Sequence, residues 1–94
     1  MQIEVNYFNA NKPKGVVGGT PTVPLNTSFS FFSHDGRLEV LFVDDSPVTG
    51  DLPPQKHAEN TPLVASKAGH YHFQCFINGN LVPIGGELDI PPAM

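Results

Sequence analysis

Apolar and polar residues alternate along several short runs of this chain. The first, QIEVNYF, sets Ile3, Val5 and Tyr7 on one side with Glu4 and Asn6 on the other. A period of two marks a half-buried strand. TSFSFFS repeats it, with Phe29 and Phe31 opposite Ser28 and Ser30, and RLEVLFV carries Leu38, Val40 and Phe42 on one face. Between these two runs HDG, residues 34–36, supplies the Asp-Gly turn signal, so the pattern predicts a hairpin. HYHFQCFI predicts a further strand: Tyr71, Phe73, Cys75 and Ile77 form its core face, and His70, His72, Gln74 and Phe76 its outer face. ELDI closes the series with Leu88 and Ile90 inward.

The connecting segments are rich in turn-formers. NANKPKGVVGGTP reads as a loop, and TVPL as a short edge strand, since Pro24 cannot donate to a central ladder. Residues 44–62 hold four prolines and no regular period, which predicts a long loop with room for one helical turn. LVASK predicts a short strand, and NGN, residues 78–80, a turn. No repeat, heptad or amphipathic helix interrupts this series. About seven short strands imply an all-β domain over residues 1–94, a two-sheet Greek-key β-sandwich.

Composition narrows the function. The chain has 94 residues, enough for one modest core. Only 15% are charged, while 9 glycines and 10 prolines favour a strand-and-turn fold. A formal net charge of −4 with 5 lysines and arginines leaves no basic patch, so neither nucleic acid nor an anionic membrane surface is an expected partner. No stretch approaches the ~20 apolar residues of a membrane helix, so membrane insertion is not expected. The N-terminus lacks a secretory signal, so a cytoplasmic protein or a processed periplasmic or secreted form is expected.

The single cysteine, Cys75, excludes an intramolecular disulfide and any multi-cysteine zinc site. Its neighbours on the core face are aromatic, which speaks for burial and against a catalytic thiolate. GVVGG has no lysine-serine or lysine-threonine after it and is not a phosphate loop. Asp44, Asp45 and Asp51 lack the spacing of a calcium loop. No defined acid–base pair appears, and the chain is not expected to be an enzyme.

GHYHFQC resembles the G-x-Y-x-F-x-C strand of the cupredoxins, the small blue-copper β-sandwich family. IGGELDI is similar in shape to that family's closing strand, and EVLFVDDSP to the strand and acidic loop after its first ligand histidine. The resemblance spans roughly residues 21–90 and implies a cupredoxin-like fold. A blue-copper site needs two imidazoles, a thiolate and a weak axial methionine. Carried over residue by residue, the family's ligand positions fall on Leu38, Cys75, Asn78 and Ile84, which keeps only the cysteine. The resemblance therefore implies the fold without copper, and no cofactor is expected.

The alternative is a copper or other metal-binding, electron-transfer protein that uses the remaining histidines and Cys75. His34 lies at the sandwich end where the family's first ligand originates, but nothing supplies a second imidazole from the cysteine loop. His70 and His72 are two apart on one strand face, and with His57 would make a three-nitrogen surface site. The plainer reading is two solvated histidines on an outer face. Phe76 shares that face and would be either a contact residue or covered by the N-terminal loop. A further alternative is an immunoglobulin-like accessory or adhesion module, whose strands share a tyrosine two residues before a cysteine.

The leading expectation is a copper-free, cupredoxin-like domain that binds another protein or a small apolar ligand. Its contact surface would be the vacated copper end, with His34, Asp35, Asn80, Val82 and Pro83. Leu38 and Ile84 are expected to plug the vacated site as core.

Overall fold

The alternating runs are realised as strands in a computed structural model, which describes residues 1–93; Met94, the last residue of the expected domain, lies outside the described residues. Among the described residues there are eight strands: β1 (Gln2–Asn6), β2 (Gly15–Val16), β3 (Ser28–Phe32), β4 (Leu38–Phe42), β5 (Gln55–Ala58), β6 (Leu63–Val64), β7 (Gly69–Ile77) and β8 (Asn80–Ile90). They form two four-stranded sheets, ordered β2-β1-β3-β6 and β5-β4-β7-β8. The all-β sandwich expected from the pattern is the fold observed. No helix of the described residues is long and apolar enough to cross a membrane.

Both sheets turn their apolar faces inward. Ile3, Val5, Phe29 and Phe31 come from the first, and Leu38, Val40, Phe42, Tyr71, Phe73, Cys75, Ile77, Leu88 and Ile90 from the second. Three phenylalanines from both sheets meet at the centre edge-on, with Phe31–Phe73, Phe42–Phe73 and Phe31–Phe42 centroids 5.2, 6.1 and 6.3 Å apart. These separations suit the aromatic quadrupole, which prefers an edge against a face. The Tyr71 hydroxyl, at the rim, donates to the Lys67 carbonyl at 2.7 Å, so its buried ring leaves no polar atom unpaired.

The hairpin expected at residues 34–36 is not formed. β3 and β4 lie in different sheets, and residues 33–37 cross from one to the other. A two-residue type I′ turn needs positive φ at both central residues, and here only Gly36 has it. The apolar faces of the two strands instead bury each other across the core. The crossing is held by β1: the side-chain oxygen of fully buried Asn6 accepts from the His34 N–H at 2.9 Å, and the Asp35 carboxylate accepts from the N–H groups of Tyr7, Phe8 and Asn9.

The tight hairpin sits instead at Asn78 and Gly79, with φ of 54° and 85°. Asn-Gly is the pair that type I′ geometry favours. β7 and β8 therefore run directly into each other, with Ile77 opposite Asn80 and Phe76 opposite Leu81. β8 begins seven residues before ELDI, because the residues after the turn are strand as well. Gly85 and Gly86 are strand too, in keeping with the likeness of IGGELDI to a closing strand.

Two other segments read as loop carry strands. β2 pairs with β1, Val5 opposite Val16. Within residues 44–62, β5 pairs with β4 and places Val40 opposite His57. QKHA has no apolar alternation to betray it, and its inward His57 is held by the Asp51 carboxylate at 2.7 Å and by the edge of Phe42. The expected TVPL strand reduces to a single parallel bridge between Thr22 and Asp89, with the Val23 N–H donating to the Asp89 carbonyl at 2.9 Å.

Candidate functional site

The sandwich end that would hold copper in the resembling family is built from the start of β4, the end of β7 and the turn into β8. Cys75 is fully buried, with Val40 of β4 beside it in the ladder. In β8 three residues, 82–84, occupy the stretch opposite Cys75, because pairing shifts from Phe76–Leu81 to Gln74–Gly85 around it. Leu38 is fully buried opposite Ile77. Ile84 is half-buried and packs against the core. The Asn78 side-chain oxygen accepts from the Arg37 N–H at 3.0 Å, and its amide lies over Gly36, where a Cβ would come within 2.7 Å of it. Asn78 thus ties the hairpin to the head of β4.

Burial pushes the Cys75 thiol up to about 12. Taking a thiolate out of water disfavours the charged form, with no compensating cation nearby. In the unfolded chain the thiol ionises at its ordinary value of 9.0, so it loses its proton there first as pH rises. The sign follows: this group's contribution to stability is complete below pH 9.0 and is lost between 9.0 and about 12. Native protein should resist a thiol reagent that labels the denatured chain fully. In denaturant melts the wild type should lose stability above pH 9.0, and Cys75→Ala should lack this alkaline slope.

A trigonal blue-copper centre needs two imidazoles beside the thiolate. His34 is exposed, its Nε2 3.6 Å from the Glu4 carboxylate and its ring against Phe32, on the outer face of the first sheet. His57 shares the inner face with Cys75 but lies two strand spacings away, about 10 Å, with Val40 between. His70 and His72 are on the outer face of β7. Among the described residues no histidine stands beside Cys75, and the side chains around it do not fit such a centre.

The expected contact surface divides. His34, Asn80 and Pro83 are exposed. Val82 is 3% exposed and belongs to the core, because the bulge turns it inward. The Asp35 carboxylate is engaged by β1's end. Burial pushes its pKa up, but the N–H groups of Tyr7, Phe8 and Asn9 and the nearby His34 outweigh this and hold it below the usual carboxylate range. Sequence reasoning missed Leu81, 57% exposed, and Phe8, 64% exposed, at this same end. Leu81 was legible in principle, as the residue a type I′ turn sets opposite outward-facing Phe76. Phe76 itself is covered by Lys56, whose ammonium is 4.1 Å from the ring centroid.

The three-histidine grouping also separates. His57 faces inward on β5, whereas His70 and His72 face outward with ring centroids 5.4 Å apart. Their partners come from β8: Glu87 opposite His72 and Asp89 opposite His70. Among the described residues, His70, His72 and Glu87 are the one group of three such side chains whose ligand atoms lie within 4.8 Å of one another.

No family model matches the chain, and no curated protein matches it. Solved structures do. A pseudoazurin from Sinorhizobium aligns over 97% of this chain and 72% of its own, with a TM-score of 0.63 and 16% identity. A Cu-containing nitrite reductase from Thermus scotoductus aligns over all of this chain, which spans only 23% of that enzyme, with a TM-score of 0.59 and 14% identity. An amicyanin variant in its reduced Cu(I) form aligns over 96% of this chain and 80% of its own, with a TM-score of 0.55 and 13% identity. At these identities the likeness carries the architecture alone, and that architecture is the cupredoxin fold in place of the immunoglobulin-like alternative.

Proposed function

We propose that this cupredoxin-fold chain is a binding or assembly domain that works without a blue-copper centre, neither an enzyme nor an electron carrier. The observation that carries the reading is the turn at Asn78 and Gly79. It continues β7 two residues past Cys75 and returns at once into β8, where an electron-transfer site would need an open loop offering imidazole. Asn78 is occupied in holding Arg37, and Leu38 presents no donor atom.

The surface this leaves is suited to a protein partner. Phe8 and Leu81 are exposed apolar side chains at the end that also carries His34, Asn80 and Pro83, a mixture of apolar area and polar rim typical of contact patches. The reading is tested by titrating the purified protein with Cu(II) and following visible absorbance. No intense thiolate-to-copper band is expected. An intense band that disappears in Cys75→Ala would overturn the proposal.

A further inference from the structure

The outer face of the β7–β8 hairpin holds a second, unrelated arrangement. Cross-strand pairing sets His72 against Glu87 and His70 against Asp89, four polar side chains on one patch of sheet. The Glu87 carboxylate reaches both rings, with one oxygen 3.4 Å from His70 Nε2 and the other 3.5 Å from His72 Nδ1. The other ring nitrogen of His70, Nδ1, lies 3.7 Å from the Asp89 carboxylate.

We propose that His70 Nε2, His72 Nδ1 and Glu87 form a site for a divalent transition ion, zinc being the probe of choice, with Asp89 orienting His70. Bonds of 2.0–2.2 Å in a tetrahedron place neighbouring ligand atoms about 3.4 Å apart. Each imidazole nitrogen already has that separation from one of the two Glu87 oxygens, and with a single oxygen taken from Glu87 the three ligand atoms lie within 4.8 Å of one another. Because the side chains are exposed, the remaining closure needs only rotamer adjustment, and β7 and β8 keep their backbones in place. Asp89, 3.7 Å from His70 Nδ1, is one side-chain rotation short of accepting the second imidazole N–H of a metal-bound histidine, a hydrogen bond that would fix the tautomer leaving Nε2 free to coordinate. Asp89 is itself anchored: its N–H donates to the Pro21 carbonyl at 3.0 Å, and its carbonyl accepts from Val23.

The charge balance of the face supports the assignment independently. Glu87 and Asp89 project from the same side of one strand, so two anions sit together. The cations of the chain are placed elsewhere: Lys12 is beside Glu4, Lys14 over Tyr7, Lys56 over Phe76 and Lys67 on Asp45, while Arg37 lies at Gly79. What faces the two carboxylates is a pair of imidazoles, the ligand type that borderline divalent ions prefer. A groove of about 500 Å³, lined by Asp44, His72, Gly86 and Glu87 among others, runs alongside, leaving one flank of the ion open to water or to a donor from another molecule. Three protein ligands and an open fourth position are a recurrent zinc arrangement.

The test is calorimetric titration of the full chain with Zn(II) at neutral pH. One ion per chain is expected, and His70→Ala, His72→Ala and Glu87→Gln should each weaken binding by about ten-fold or more. All three positions are exposed, so the melting temperature without metal should stay unchanged. Cys75→Ala should bind zinc as wild type does, which separates this site from the copper question. Imidazole ¹⁵N spectra should show zinc on His70 Nε2 with Nδ1–H retained, and a mixed tautomer in Asp89→Asn. Absence of binding up to millimolar zinc, or equal affinity in the His70→Ala/His72→Ala double variant, would overturn the site. Coordination through His70 Nδ1 would overturn the role given to Asp89.

Discussion

Phe73→Ala should destabilise the domain by about 3–5 kcal/mol, the range for truncating a buried aromatic ring. Phe73 is 2% exposed and is the ring that touches both Phe31 of the first sheet and Phe42 of the second. Its removal opens a cavity at the junction of the two layers, where neither sheet can settle without moving its whole strand ladder. Domains of this size have about 5–15 kcal/mol in total, so the loss is a large share. Each kcal/mol lowers the melting temperature by roughly 4–8 °C at this length. A thermal melt by circular dichroism reads the effect directly, and a fall of only a few degrees would mean the ring is not a junction of the two layers.

Gly86→Ala should cost about 1–3 kcal/mol, although alanine is a conservative change almost anywhere else. Gly86 lies directly opposite Phe73, and a Cβ there would come within 2.3 Å of Phe73 Cζ and 2.9 Å of Val16 Cγ2. The ring occupies the space the glycine leaves, and its own packing against two other phenylalanines keeps it from yielding. The two positions are therefore coupled. In Phe73→Leu, whose side chain is shorter, the added methyl should be much less costly. A double-mutant cycle in urea measures this, and strict additivity would show that the glycine is needed for another reason.

These two residues also mark what local pattern conveys and what it does not. The alternation of Tyr71, Phe73, Cys75 and Ile77 is legible, because a strand buried on one face must repeat every two residues. The need for glycine at position 86 is not legible, because it depends on a ring arriving from the neighbouring strand. β3 and β4 show the same limit. Each run is correctly read as a strand, yet alternation cannot say whether an apolar face is covered by a sequence neighbour or from the opposite sheet. β5 is invisible for a further reason: its inward residue is a histidine, made acceptable there by Asp51.

The outer-face cluster was half legible. Two histidines at alternate positions of a strand must share a face. Their partners depend on register, which the turn and the bulge set together. An unbroken ladder from Asn78 and Gly79 would put Gly85 opposite His72 and Glu87 opposite His70. The two extra residues in β8 beside Cys75 slide Glu87 to His72 and Asp89 to His70, and an even shift keeps every side chain on its own face.

β8 is the longest strand and stands at the margin of its sheet, a position that invites a second chain to add itself. The segment through Thr22 occupies one end of that margin, and Val16 leans on Gly86 in the middle. Pro83 lacks the N–H a newcomer would need, and the bulge around it breaks the even spacing of the remaining groups. The bulge thus discourages self-association: where an incoming strand would seek a continuous row of donors, it finds an interrupted one.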